Sequence, residues 1–407
     1  MRIVHLATDY GLSSLGGAAI ASTRLHNALV AAGVDSHYIC IRQFEDGPNV
    51  HELPPKGTFS RWFHHQLTRL SRGVWKFSSF RRSVSFNVVK LPGLERVLAD
   101  LRPDVVHVHW LNFDAVALTQ LERLPYPTVF HLHDLWMVNG LEPCPGNDRR
   151  YLEGYTRENS GFLERKLFDR KRRTIARLKP RFVGPSQWIC RSCAHSLVAS
   201  GCTVTHVHYV FDDRFSYVPE RRRRSEKFVI LFGCFRGTQN PLKGWEDLMA
   251  AVRLLSDEDK EQVEVHVFGE EASTRIEAGV PVIFHGSIAN AEQLIDLYHA
   301  ASVFALPSRE DNSPLTKYEA LFCGVPVLTY DRRGCPEEIE HGVSGWIAPD
   351  GAPAAYAAGI RHFMDFWREN RIDYAGISSR YRTRFATSVI VERMLEVYRS
   401  VGGRKLP

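Results

Sequence analysis

The stretch Pro307-Ser308-Arg309-Glu310-Asp311-Asn312-Ser313-Pro314-Leu315-Thr316-Lys317-Tyr318-Glu319-Ala320-Leu321 decides how this chain is read. It follows Ser302-Val303-Phe304-Ala305-Leu306, a short apolar run of strand type. Asn312 or Ser313 suits the cap of a helix, and Pro314 suits its first turn, where no amide donor is required. The helix is expected to stop near Cys323-Gly324, because glycine tolerates the left-handed C-terminal conformation, and residues 325–329 then resume a buried strand. The spacing predicts strand, loop, helix, strand.

In an open parallel sheet, ligands bind beyond the carboxyl ends of the strands, where the unpaired amides of a helix N-terminus attract phosphate or sugar oxygens. Asp311 stands at such a mouth. Glu319 follows eight residues later, about two turns along at 3.6 residues per turn, so its carboxylate reaches a different depth of the same ligand. Two acids so placed suit a molecule with hydroxyls at both ends, such as an activated sugar. The plain alternative is a solvated loop pair at Glu310 and Asp311, with Glu319 on a surface helix face.

Outward from this stretch the pattern recurs. Short apolar runs at 3–6, 37–41, 105–109, 128–132 and 182–184 alternate with helical segments, which predicts parallel strands joined by helical crossovers. Runs at 228–232, 263–268, 282–284, 303–306, 325–329 and 346–348 repeat the logic, so the chain reads as two Rossmann-like α/β domains. Between them, residues 214–226 carry Pro219 and four consecutive arginines, 221–224, the composition of an exposed connector.

Composition bounds the function. At 407 residues the chain suggests two or three domains, and 44% hydrophobic with 24% charged residues is ordinary for a globular protein, not a disordered or fibrous one. A formal charge of +6, from 52 basic and 46 acidic residues, suits anionic partners such as phosphate-rich substrates or lipid without demanding nucleic acid. The eight cysteines are scattered, and free thiols in a reducing cytoplasm are expected. Cys190-Arg191-Ser192-Cys193 has no second pair at zinc-ribbon distance and reads as structural, on a helix entered from Ser186. The N-terminal apolar run is too short for a signal peptide, and no stretch approaches the roughly 18 apolar residues that span a bilayer.

The acid-x7-glutamate spacing of Asp311 and Glu319, followed by Ala320-Leu321 and Cys323-Gly324-Val325-Pro326-Val327, resembles the donor-binding signature of the GT4 retaining glycosyltransferases. Asp311-Asn312-Ser313-Pro314-Leu315, with Gly334-Cys335-Pro336-Glu337-Glu338 and Gly342-Val343-Ser344-Gly345 behind it, most resembles the colanic-acid and exopolysaccharide branch. The resemblance implies a GT-B fold, two Rossmann-like doubly wound domains facing each other across a cleft. Its domains would be 1–215 on the acceptor side, a basic linker 216–226, a nucleotide-sugar donor domain 227–385, and a C-terminal helix within 386–407 crossing back to the first domain.

Further residues take roles from the same resemblance. Gly16-Gly17 opens a helix after the first strand, where amides can approach a diphosphate with no side chain in the way. Phe235-Arg236-Gly237 through Lys243-Gly244 resembles the Arg and Lys-Gly element that neutralises the leaving nucleotide diphosphate, with Arg236 and Lys243 as the cations. Breaking the bond from sugar carbon to phosphate develops negative charge there, which fixed cations and helix amides stabilise. No tight Asp-x-Asp triplet of the kind that holds a bridging divalent ion occurs near a strand end, so no metal and no cofactor are expected, the nucleotide sugar being substrate.

In His131-Leu132-His133-Asp134, period-2 alternation points both histidines to one side, and the resemblance selects His133 for the donor sugar or reacting centre. His107 and His109 read as satisfied core residues. Asp311 and His133 would orient the sugar during front-face departure and attack, Glu319 would hold the ribose, and Asn312, Ser313, Pro314 and Leu315 would line the donor pocket. The leaving phosphate would deprotonate the acceptor hydroxyl. Trp136-Met137-Val138-Asn139-Gly140-Leu141-Glu142 departs from the family pattern, so acceptor recognition there is not inherited.

Residues 61–82 hold six cations and no acids, interleaved with Trp62, Phe63, Trp75, Phe77 and Phe80, a composition that suits an interfacial segment on anionic lipid. The expected protein is a cytoplasmic enzyme at the inner face of the plasma membrane, moving sugar from a nucleotide sugar to a saccharide or lipid-linked acceptor. The rival readings are a nucleotide-sugar epimerase or phosphorylase on the same scaffold, and a non-catalytic basic binding protein.

Overall fold

Ile3, Val4 and Leu6 are fully buried, as expected of a strand covered on both faces, and they form the core of β1 (Arg2–Leu6). Around it stand β2 (Asp35–Cys40), β3 (Val50–Glu52), β4 (Val105–Val108), β5 (Thr128–His131), β6 (Arg181–Gly184) and β7 (Val204–His206). They make a seven-stranded sheet in the order β3-β2-β1-β4-β5-β6-β7, parallel throughout. The order reverses between β1 and β4, the switch point at which doubly wound sheets leave a crevice.

The second sheet repeats this plan with β8 (Phe228–Gly233), β9 (Val263–Phe268), β10 (Ser273–Glu277), β11 (Val280–Phe284), β12 (Val303–Leu306), β13 (Val327–Tyr330) and β14 (Gly345–Ala348). Its order is β10-β11-β9-β8-β12-β13-β14, with only the β10–β11 hairpin antiparallel. Here the reversal falls between β8 and β12. The expected pair of Rossmann-like parallel sheets is present.

This computed structural model describes all residues except 13–15, 55–56, 74–84, 112–114, 144–145, 223–224, 234–237, 289 and 403–407. The chain divides into two compact units, Met1–Val210 with Thr387–Pro407, and Phe211–Ala386. The C-terminal helix, Thr387–Gly402, belongs to the first, where the buried Tyr398 hydroxyl lies 2.7 Å from His107 Nδ1. No described helix is long and apolar enough to cross a membrane. No disulfide joins the described cysteines, and Cys190 and Cys193 lie on the Gln187–His195 helix capped by Ser186.

Within the segment 214–226, read from composition as an exposed connector, Arg214 and 219–221 are exposed, while the chain from Phe211 onward belongs to the second unit. Phe211 stacks on Tyr318 with ring centroids 4.3 Å apart, Phe215 is buried, and the Arg222 guanidinium sits 3.3 Å from the Tyr374 ring centroid. The Val218 amide donates to His299 Nε2 at 2.9 Å. Burying an aromatic side chain is worth about 1.5–3 kcal/mol, so two of them outweigh the basic composition. The division between the two compact units falls at Val210–Phe211.

Candidate active site

At the β8/β12 switch point of the second unit, two loops are stitched together. The turn Pro241–Lys243 begins where the Asn240 side chain accepts from the Leu242 amide at 3.1 Å, and the Arg309 amide donates to the Leu242 carbonyl at 2.8 Å. Arg309 forks onto Asp247 at 2.9 and 2.7 Å, and Arg332 reaches the same carboxylate at 2.8 Å. These contacts fix the Lys243 backbone against the loop that carries Asp311.

Lys243 Nζ donates to Asp311 Oδ2 at 2.7 Å. Gly244 is the residue that permits this approach. Its φ is +76°, and a Cβ there would stand 2.0 Å from the Pro307 carbonyl oxygen. Alanine would carry about 1–2 kcal/mol of left-handed strain before that overlap is relieved. Gly244→Ala is therefore expected to lower the melting temperature and to weaken nucleotide-sugar binding together, checked by differential scanning calorimetry and titration. Unchanged binding would show that the turn's position is immaterial.

The helix Leu315–Phe322 starts later than the sequence suggests. Pro314 itself occupies the N-cap with an extended ψ of 121°, and no side chain caps the helix, so neither Asn312 nor Ser313 plays that part. The Lys317 amide donates to the Pro314 carbonyl at 3.2 Å, and a helix N-terminus without a side-chain cap is the kind of end that receives anionic oxygens. Ser313 and Pro314 are buried, while Asn312 and Leu315 are half-buried. Glu319 is 7% exposed and so is not a surface acid. Glu310 is not a solvated acid either, since Arg333 pairs with it at 2.9 Å. The helix ends at Cys323 with Gly324 at φ +82°, as expected.

Sequence reasoning missed Lys317. It is completely buried, and its ammonium donates to the carbonyls of Gly334, Cys335 and Glu337 at 3.1, 3.2 and 2.9 Å. Three carbonyl acceptors require the three N–H donors of a charged lysine, although burial pulls its pKa down. Lys317 thus pins the 334–337 loop, whose Gly334 amide donates to the Asp311 carbonyl at 3.2 Å. The only available signal was a cation two residues from Glu319 in an apolar helix. Arg236, the other expected diphosphate cation, lies outside the described residues.

Gly16, Gly17 and His133 belong to the first unit. Gly16 is the N-cap of the Gly17–Ala31 helix, which has no side-chain cap. A Cβ at Gly16 would meet nothing within 4 Å, and its φ of −127° suits any residue, so the fold does not demand glycine there. His133 and His131 share one side, stacked at 4.7 Å. His133 Nδ1 lies 3.0 Å from the Tyr209 hydroxyl, and its Nε2 lies 3.1 Å from His109 Nδ1. Burial, reinforced by His131, holds the His133 pKa well below its ordinary value, so the ring is neutral near pH 7. A neutral ring at a strand end can accept from or donate to a sugar hydroxyl without bringing charge. His107 and His109 are buried as expected, but they are not isolated core histidines, since both belong to a cluster that reaches His133.

Comparisons with known proteins fall on both units. Residues 15–208 match the family model described as Glycosyltransferase Family 4, and residues 227–365 match Glycosyl transferases group 1. The D-inositol 3-phosphate glycosyltransferase of Geodermatophilus obscurus is 33% identical over 158 residues, 34% of this chain and 35% of that protein, so the match spans about a third of that curated relative. Among solved structures, sucrose-phosphate synthase from Thermosynechococcus elongatus superposes with TM-score 0.69 at 16% identity, covering 98% of this chain and 99% of that one. Anabaena HepE in complex with UDP-glucose gives TM-score 0.61 at 14% identity, covering 98% of this chain and 100% of its own. At those identities the two structures speak for the fold, which is the GT-B arrangement.

Proposed function

We propose that this chain, whose residues 15–208 and 227–365 match the family 4 and group 1 glycosyltransferase models, moves a sugar from a nucleotide-diphosphate donor to a saccharide or lipid-linked saccharide acceptor, with retention of configuration, in surface-polysaccharide assembly. The observation that carries this reading is the Lys243–Asp311 contact of 2.7 Å beside the uncapped helix that bears the buried Glu319. A cation, a helix N-terminus without a side-chain cap and a buried carboxylate match the needs of a leaving diphosphate and a ribose. No protein nucleophile enters. Asp311 and His133 orient the sugar, Lys243 neutralises the diphosphate, which the backbone amides at Gly16 and Gly17 approach, Asn312 to Leu315 line the donor pocket and Glu319 holds the ribose.

A thermal-shift panel of nucleotide sugars tests donor binding, since a ligand at a hundred times its Kd stabilises the native state by about 2.7 kcal/mol. One nucleotide class is expected to raise the melting temperature, with UDP-glucose, the ligand of the HepE complex, as the first candidate. Product analysis then separates the chemistries. A new glycosidic bond only when acceptor is present supports transfer, whereas an altered sugar from donor alone supports the epimerase reading. The curated relative's name adds a phosphorylated polyol as an acceptor to be run beside the saccharides.

Membrane contact through the segment 61–82 belongs to the same proposal. The helix Phe59–Gly73 exposes Phe59, Trp62 and Phe63, with Phe59 and Trp62 stacked at 5.5 Å, while residues 74–82 lie outside the described part. Trp62→Ala with Phe63→Ala is expected to reduce sedimentation with phosphatidylglycerol vesicles several-fold and to leave transfer to a soluble acceptor unchanged. Equal sedimentation of variant and parent would remove the membrane from this account.

A further inference from the structure

The first unit threads histidines through the middle of its sheet. His5 on β1 is in register with His107 on β4, so their side chains share one face, and the His107 and His109 rings lie 4.1 Å apart. His5 Nδ1 lies 2.9 Å from His109 Nε2. His5 and His107 are 0% exposed and His109 4%. The Nε2 atoms of His5 and His107 have no hydrogen-bond partner among the described residues. A buried polar atom left without a partner costs about 1–3 kcal/mol and calls for an occupant such as a water or an ion.

We propose that His5, His107 and His109 bind one first-row transition-metal dication, with zinc as the reference ion. One ring nitrogen from each residue lies within 4.8 Å of the other two. Ligands at ~2.0–2.1 Å from a tetrahedral zinc stand roughly 3.4 Å from one another, so modest ring rotations close the site. The second sphere is in place. Tyr398 holds His107 at Nδ1, at 2.7 Å, which directs Nε2 inward, and His133 holds His109 at Nδ1, at 3.1 Å, which directs its Nε2 toward His5. Such outer partners fix the tautomer of a ligating imidazole.

An all-imidazole set favours zinc, copper or nickel over magnesium or calcium. A second triad, His109 with His131 and His133, meets the same distance test. It is disfavoured because only one of its residues, His131, has a nitrogen without a hydrogen-bond partner among the described residues, against two, His5 and His107, in the first triad. The ion would tie β1 to β4 and so stabilise the sheet that the C-terminal helix packs on.

The test uses the full chain without a histidine tag, stripped with chelator and reloaded with cobalt(II) or zinc. The expected result is about one ion per chain by mass spectrometry, visible cobalt absorption of low-coordinate intensity, and a zinc-dependent rise in melting temperature. His107→Gln and, as a second variant should that one fail to fold, His5→Gln are each expected to lose the ion and the thermal shift. His131→Gln, which lies outside the proposed triad, is expected to keep both. Wild type that holds under about 0.1 ion per chain overturns the site, as does binding that persists in a folded His5→Gln, His107→Gln double variant. Loss in His131→Gln with retention in His107→Gln overturns the assignment to these three residues.

Discussion

Lys243→Met is expected to lower kcat/KM for sugar transfer by about 10²–10³-fold, the range seen when one preorganised group that stabilises developing negative charge is removed. Stability is expected to change far less. The Lys243 and Asp311 side chains are 28% and 16% exposed, and a partly exposed ion pair contributes about 0–1 kcal/mol to folding. The geometry costs more than that return would justify on stability grounds alone. Lys243 sits on a turn whose Gly244 admits no side chain, on a loop laced to 307–311 through Arg309 and Asp247. A backbone so constrained around a weak ion pair is organised for a ligand. Methionine keeps the apolar stem and removes the charge, so initial-rate kinetics beside circular dichroism isolate the electrostatic part. Transfer within about fivefold of the parent would take Lys243 out of the mechanism, since fivefold is only ~1 kcal/mol of barrier.

The sheets and the strand-loop-helix unit at 303–322 were legible in the sequence because they depend on local pattern. Continuous apolar runs such as Phe228 to Phe232 fit only strands buried on both faces, and Gly324 with Pro326 marks the helix end. The acid spacing, too, is a one-dimensional property. What stayed hidden depends on contacts between distant residues. Lys317 reads as an ordinary helix cation until residues 334–337 fold back and present three carbonyls to it. The pairing of His5 with His109 needs the β1–β4 register, set across 104 residues. Arginines 221–224 dominate the composition of the stretch 214–226, while the burial of Phe211 and Phe215 against the second unit was not legible there because it depends on partners such as Tyr318, far along the chain.

Glu319→Gln is expected to weaken nucleotide-sugar binding by about 5- to 12-fold, the equivalent of the ~1–1.5 kcal/mol by which a hydrogen bond to a charged acceptor exceeds one to a neutral amide oxygen. Glutamine keeps the size of the side chain, so the helix Leu315–Phe322 and its packing are preserved and the loss reports the carboxylate alone. Glu319 is 7% exposed and sits in the second turn, behind Pro314 and Ser313, where a ligand entering at Asp311 would present its hydroxyls. Glu310 supplies the control from the same loop. Its carboxylate is occupied by Arg333 at 2.9 Å, and Glu310→Gln is expected to alter donor affinity by less than about threefold, the effect of a partly exposed pair. Calorimetric titration of both variants with the donor found in the thermal panel makes the comparison. If Glu319→Gln binds as tightly as Glu310→Gln, the buried acid serves the fold and the ribose is held elsewhere.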